Sequence, residues 1–259
     1  MELDGLKIAI IGGASGVGRG IAETCHAHGA QLVVADRLAD QSAPWPTVEV
    51  DLLKRDRLSG LSAAVQANLG TIDWLVITIG GIDSGPLLEL DQNRWQWMFE
   101  SNVIATMNAV GSLADTVQDG GKIVLSGSGS GFAPPDAESS LGAYCVMKHA
   151  VLGLYRSLRS ELAARSIDVV LMLPSAVAGR LAQNSADDRY RAGVDASAVL
   201  RAAQPPDRKL QSSLEAAETM LDQLLSGRPI ISNDLNAMSR KLRDGYEELA
   251  AALNSEFRR

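Results

Sequence analysis

Along the first two thirds of the chain, short apolar runs alternate with stretches of helical spacing, and this alternation leaves few folds open. The runs are Lys7 to Ile11, Gln31 to Ala35, Thr47 to Val50, Trp74 to Ile79, Lys122 to Leu125 and Asp168 to Leu173. They are rich in Val, Ile and Leu, as strands covered on both faces must be. Between them, Gly16 to His28, Asp56 to Asn68, Asp91 to Val117 and Gly142 to Arg165 have the length and apolar spacing of helices. Repeated βαβ units follow, and with them an α/β fold: a doubly wound parallel sheet with helices on both faces. Residues 179–208 turn polar and charged, with Asp187-Asp188-Arg189 and Pro205-Pro206, and read as a substrate lid or an irregular surface segment. The C-terminal part reads as helical, with a short strand at Pro229 to Ile231 and an amphipathic helix over 236–253. A length of 259 residues fits a single α/β domain spanning 1–259.

Hydrophobic residues make up 46% of the chain, enough for a large core. A net charge of −7 argues against nucleic acid or an anionic membrane surface as partner, because either requires a basic patch. Small-molecule partners are expected instead. The opening Met1-Glu-Leu-Asp-Gly5 is acidic and leads straight into a strand-like run, which does not read as a signal peptide. No apolar stretch approaches the ~18 residues needed to span a bilayer, so a cytoplasmic location is expected. Cys25 and Cys145 have no paired spacing, and His26, His28 and His149 form no ligand pattern with carboxylates, so no disulfide framework and no metal are expected.

Directly after the first run comes Gly12-Gly-Ala-Ser-Gly-Val-Gly-Arg19, opening into a helix. Glycines here allow a tight turn and a close backbone approach, while the free N–H groups and positive dipole end of the helix favour a phosphate. Gly12, Ser15, Gly16, Val17 and Gly18 are the expected contacts. Asp36 ends the second run, where a carboxylate can accept from ribose hydroxyls and would repel a 2′-phosphate, so NAD is favoured over NADP. Arg37 beside it reads as a solvated or adenine-stacking residue. Further on, Tyr144 and Lys148 stand four apart, which on a helix puts a phenol and an ammonium on one face. A phenol titrates near ~10 and becomes a base at neutral pH only where a cation favours its phenolate.

In their order along the chain these residues resemble the short-chain dehydrogenase/reductase family. Its glycine motif is similar to Gly12 to Gly18, its ribose acid to Asp36, and its adenine-contacting pair to Asp51-Leu52. The resemblance adds Thr78, Gly80, Tyr144, Lys148, Pro174 and Val177 to the cofactor contacts. It places a catalytic asparagine at Asn102, seven residues beyond Trp95. The catalytic serine falls at Ser128 in Gly121-Lys-Ile-Val-Leu-Ser-Gly-Ser-Gly-Ser-Gly131, with Ser126 and Ser130 as alternatives. Tyr144 and Lys148 complete the set.

The implied activity is NAD-dependent interconversion of a secondary alcohol and a ketone by hydride transfer. In it Tyr144 would transfer the proton and Lys148 would lower its pKa and hold the nicotinamide ribose. Ser128 would bond the substrate oxygen, and Asn102 would hold a water. The family likeness implies a homodimer or homotetramer, pairing through apolar surfaces on the helices around Asn93 to Val117 and Ala143 to Arg165. The C-terminal segment resembles that of relatives acting on bulky or aromatic alcohols. Ile11, Ile77-Thr-Ile-Gly80, Pro174-Ser175 and Gly179 depart from the family pattern. The interval from Ser128 to Tyr144 is also longer than usual, which suggests extra residues at Ala133 to Ser140 beside the substrate pocket. These departures motivate an alternative: a catalytically silent NAD-binding sensor or regulatory protein.

Overall fold

Alternate residues of each central strand point into two separate cores, which is why the runs are apolar throughout. In β1 (Lys7–Ile11), Ile8 and Ile10 pack on one side of the sheet and Ala9 and Ile11 on the other. In β2 (Gln31–Asp36), Leu32 and Val34 join the first core, Val33 and Ala35 the second. Burying a Val, Leu or Ile side chain contributes about 1.5–3 kcal/mol, so both faces demand a cover of helices.

The computed structural model describes residues 1–132, 141–191 and 210–256. The remaining strands are β3 (Thr47–Glu49), β4 (Ile72–Ile77), β5 (Val117–Ser126), β6 (Asp168–Met172) and β7 (Ile230–Ile231). They form one seven-stranded sheet in the order β3-β2-β1-β4-β5-β6-β7, every pairing parallel. The helices are α1 (Gly16–Ala27), α2 (Leu58–Leu69), α3 (Gln92–Phe99), α4 (Ala105–Leu113), α5 (Gly142–Glu161), α6 (Leu181–Arg191), α7 (Ser213–Leu225) and α8 (Leu235–Glu256). Residues of α1 and α7 line one core; residues of α2, α4 and α5 line the other. The α/β doubly wound architecture is therefore as the sequence implies. Among the described residues no helix is long and apolar enough to cross a membrane.

Three local differences from the sequence reading have physical causes. The helix expected over Asp91 to Val117 is split: Asp91 caps α3 by accepting the Arg94 N–H at 3.0 Å, but a π turn at Glu100–Ile104 separates α3 from α4. Val117 belongs to β5, which begins before the apolar run and crosses an irregular pairing with β4 at Ile72 to Trp74. Gly120, at φ +80°, allows that distortion. Finally, the polar segment after Gly179 opens not as an irregular loop but as helix α6; the rest of the expected lid, 192–208, lies outside the described residues, as does the expected insertion at 133–140.

Strand order reverses beside β1, which pairs with β2 on one flank and β4 on the other. Ligands of open α/β sheets bind at such a reversal, outside the carboxyl ends of the strands.

Candidate active site

At the end of β1 the Gly12 N–H donates to the Ala35 carbonyl at 2.7 Å, and Thr78, just past β4, donates its N–H to the Ile11 carbonyl at 2.8 Å. Gly12 and Gly16 have φ of +90° and +55°, the left-handed region that favours glycine. A side chain at Gly18 would collide with the Gly12 carbonyl oxygen and Thr78 Oγ1, so α1 can pack this close to the loop only with glycine there. Ser15 precedes α1 without a side-chain cap, which leaves the first helical N–H groups available to an anion. Asp36 holds the loop from below: Oδ2 accepts the Ala14 N–H at 3.0 Å and Oδ1 the Leu38 N–H at 3.1 Å. The Thr78 hydroxyl lies 3.0 Å from the Ile11 carbonyl and 2.9 Å from that of Gly12, so this residue fastens the glycine loop as well as facing the cavity.

On the other side of the cleft, the structure brings Ser128, Tyr144 and Lys148 together. Ser128 caps a short 3-10 turn, its Oγ accepting the Ser130 N–H at 3.1 Å, and its hydroxyl is hydrogen bonded to Tyr144. Ser126 and Ser130 take other parts, the first through its carbonyl, which accepts from Lys148 Nζ at 3.1 Å. The Lys148 ammonium lies 5.5 Å from the Tyr144 ring centroid. Asn102 sits in the π turn, fully buried; its Nδ2 donates to the Gly81 and Met98 carbonyls, each at 2.9 Å. Its Oδ1 is buried and has no hydrogen-bond partner among the described residues. A side chain at Gly80 would meet Asn102 Oδ1 at 2.8 Å and Lys148 Nζ at 3.1 Å, so both polar atoms face the same small space.

The electrostatics differ from the sequence expectation that Lys148 lowers the Tyr144 pKa. Burial pushes the Tyr144 phenol up to about 12, with the Ser128 hydrogen bond opposing, while burial pulls Lys148 down to about 8. Desolvation wins for both groups because each is enclosed and the ammonium stands against the ring rather than at the phenol oxygen.

One cavity of about 1020 Å³ joins these halves. It is lined by Gly12, Ser15, Gly16, Val17, Asp36 and Arg37 at one end, and by Ser128, Tyr144 and Lys148 at the other. Asp51, Leu52, Thr78, Gly80, Pro174 and Val177 also line it, whereas Gly18 and Asn102 stand behind its wall. The strap after β6 is tied down: the Ser175 N–H donates to Asn233 Oδ1 at 2.8 Å, and Ala178 and Gln211 bond through their backbones. Gly179 rests against Gly16, where a side chain would stand 2.9 Å from the Gly16 Cα.

Several contributors escaped the sequence reading. Ser185 on α6 accepts the Ile82 N–H at 3.0 Å, Arg94 grips the buried Asp83, and Met238 and Lys241 reach the Ser128 side from α8. Asn184 also lines the cavity, with a buried Oδ1 that has no partner among the described residues. None of these had a motif to announce it. The two cysteines are not part of this chemistry: burial raises both thiols, Cys25 to about 12.

Residues 7–190 match the family model for short chain dehydrogenases. The chain belongs to the short-chain dehydrogenase/reductase family. A sorbitol dehydrogenase of Cereibacter sphaeroides is 29% identical over 190 residues, covering 69% of this chain and 73% of that protein. Among solved structures, a family member from Burkholderia phymatum in complex with NAD superposes with a TM-score of 0.84 at 23% identity, covering 97% of this chain and 96% of that one. Another, from Burkholderia cenocepacia in complex with NADP, has a TM-score of 0.75 at 21% identity, covering 99% and 98%. This short-chain dehydrogenase/reductase is thus an oxidoreductase by family, with the Rossmann-type fold its sheet displays.

Proposed function

We propose that this short-chain dehydrogenase/reductase interconverts a secondary alcohol and its ketone with NAD as the preferred dinucleotide. The observation that carries the reading is the convergence of Ser128, Tyr144 and Lys148 on the same cavity as the glycine loop and Asp36. The residues fit a dinucleotide: Gly12 and Gly16 line the cavity beside the uncapped N-terminus of α1, and the Asn102 Oδ1 and Asn184 Oδ1 atoms are buried without partners among the described residues. Gly12, Ser15, Gly16 and Val17 would hold the phosphates. Asp36 would take the ribose, and Arg37, Asp51 and Leu52 would flank the adenine. Thr78, Gly80, Lys148, Pro174 and Val177 would surround the nicotinamide half. When bound, the dinucleotide supplies the hydride acceptor or donor, which no side chain here can.

The chain's own part is proton transfer and orientation. Tyr144 gives or takes the proton at its hydroxyl oxygen, and Ser128 donates to the substrate oxygen as negative charge builds there. Lys148 shares the pair's proton with the phenol, and Asn102 Oδ1 positions a water through which Lys148 exchanges that proton with solvent. With NAD and a panel of secondary alcohols, or NADH and ketones, absorbance at the NADH band should change. A flat trace across the whole panel would rule the reading out.

The pKa directions set the pH dependence. Lys148 is depressed and Tyr144 raised, so the first proton leaves the pair at about 8. Below that pH the pair is fully protonated and cannot accept a proton; above it, it can. Alcohol oxidation, followed as kcat/KM, should therefore rise about tenfold per pH unit up to about 8 and then level, while ketone reduction falls above it. Flat profiles in both directions between pH 6 and 9, as test conditions, would contradict this assignment of the pair.

Asp36 makes the choice of dinucleotide testable. Its carboxylate accepts two backbone N–H groups, which fix it at the end of β2, where its negative charge would repel a 2′-phosphate. Asp36→Ala is expected to lower the NAD over NADP ratio of kcat/KM by at least about tenfold, since removing a close like-charge pair is worth on the order of 1–2 kcal/mol. An unchanged ratio would mean that another group selects the cofactor.

A further inference from the structure

We propose that the substrate carries a carboxylate and that Lys241 receives it, an inference that rests on the oxidoreductase reading above. The charged side chains lining the cavity are divided by position. Both lining carboxylates, Asp36 and Asp51, stand at the ends of β2 and β3 with Arg37 and Lys54 as neighbours. Arg180 also lines the cavity and follows Gly179, which rests against Gly16 at the glycine loop. Around the Ser128 turn and Tyr144, the charged lining groups among the described residues are Lys148 and Lys241, with no carboxylate. Lys148 is committed to the Ser126 carbonyl behind the tyrosine ring. Lys241 is half-buried and makes no hydrogen bond or ion pair with the described residues.

Its placement is built rather than incidental. Met238 lies three residues earlier on the same face of α8, is buried, and seats its sulfur against Gly129, where a side chain would stand only 2.7 Å from Sδ. The Lys241 stem lies along the same glycine, its Cδ 3.1 Å from where a Cβ would be. Gly129 directly follows Ser128, so α8 lays an ammonium beside the turn that presents the serine hydroxyl. The ammonium also lies near enough to Cys145 on α5 to oppose the rise that burial imposes on that thiol. Ile82, Trp97 and Leu141 supply an apolar wall nearby. An ammonium partly withdrawn from water favours an anionic partner, and charge-assisted bonds are the stronger kind. A single ammonium with an apolar wall suits a hydroxy acid whose alcohol reaches Ser128 and Tyr144; a phosphate dianion would call for a second cation there.

The test compares short- and medium-chain hydroxy acids with their methyl esters, and with phosphorylated alcohols, as substrates of the full chain with NAD. The kcat/KM ratio of acid over ester should be at least about tenfold, in line with a charge-assisted bond. Lys241→Gln should bring that ratio to within about threefold of unity, mainly through KM, and Lys241→Arg should restore most of it. If Lys241 served only to seat α8, acid and ester would lose activity together and the ratio would not move, which overturns the proposal. Equal turnover of acid and ester by the unaltered protein, or a preference for phosphorylated alcohols, overturns it too, while leaving the oxidoreductase reading intact. No NADH signal with any alcohol or acid sinks both.

Discussion

Tyr144→Phe is expected to lower kcat by about 10²–10⁴-fold, the span attributable to one positioned proton-transfer group, while NAD affinity stays within about threefold. The substitution removes one oxygen and keeps the ring, so Lys148 retains the aromatic face it lies against, 5.5 Å from its centroid, and its bond to the Ser126 carbonyl. Ser128 loses a partner but keeps the Ser130 N–H, so the turn that carries it is not undone. Burial raises the phenol pKa to about 12, so removing the hydroxyl also removes a group that is neutral at pH 7, and the fold loses no charge interaction. Steady-state NADH formation and a separate NAD titration by tryptophan fluorescence read the two quantities. Turnover within tenfold of the unaltered protein would remove Tyr144 from the proton path. A protein that binds NAD yet shows no turnover before any substitution would instead be the silent sensor that the departures around Ile77 to Gly80 suggest.

The parts of this molecule that were legible in the sequence are those with a local period or a short motif. β1 begins and ends where its apolar run does, and α5 starts at the glycine where helical spacing begins, because burial on both sheet faces or on one helix stripe writes itself into neighbouring residues. The glycine loop is legible for the same reason: the positive φ angles it needs fall on Gly12 and Gly16 within one short motif, although Asp36 and Thr78 fasten it from outside. What stayed hidden depends on contacts between distant segments. Ile82 and Ser185 are 103 positions apart, and nothing in either neighbourhood marks them as partners. The π turn at Asn102 interrupts an otherwise continuous apolar pattern without disturbing its composition. Counting along the family motif favoured Ser128 among three serines within five positions; what spacing could not give is that the fold turns Ser128 toward Tyr144 and directs the Ser126 carbonyl to Lys148. The tyrosine pKa went the other way from expectation because a residue's spacing says that a cation is near, whereas the balance depends on how completely both groups are buried.

Asp83→Ala is expected to destabilise the protein by about 3–5 kcal/mol, the range for removing one partner of a buried ion pair and leaving the other uncompensated. The Asp83 side chain is fully buried and that of Arg94 is 18% exposed. Their bond is two-pronged: Arg94 Nε donates to Oδ2 at 2.9 Å and Nη2 to Oδ1 at 2.8 Å, while Nη2 also reaches the Ser84 carbonyl at 2.6 Å. With the carboxylate gone, the partly buried guanidinium on α3 keeps that carbonyl and the more distant charge of Asp91 but loses both prongs of its ion pair. Arg94→Met combined with Asp83→Ala should recover a large part of the loss, because an apolar pair leaves no orphaned charge. Urea unfolding followed by circular dichroism measures both; a loss below about 1 kcal/mol for Asp83→Ala would show the pair to be solvated and energetically ordinary. The consequence reaches the site through the chain itself. Asp83 closes the segment that begins at Gly80, whose Gly81 carbonyl accepts from Asn102 and whose Ile82 N–H donates to Ser185 on α6. Loosening that segment unpins Asn102 and α6 together, so the variant should lose kcat/KM even under conditions where it remains folded, and the double variant should regain stability before it regains activity.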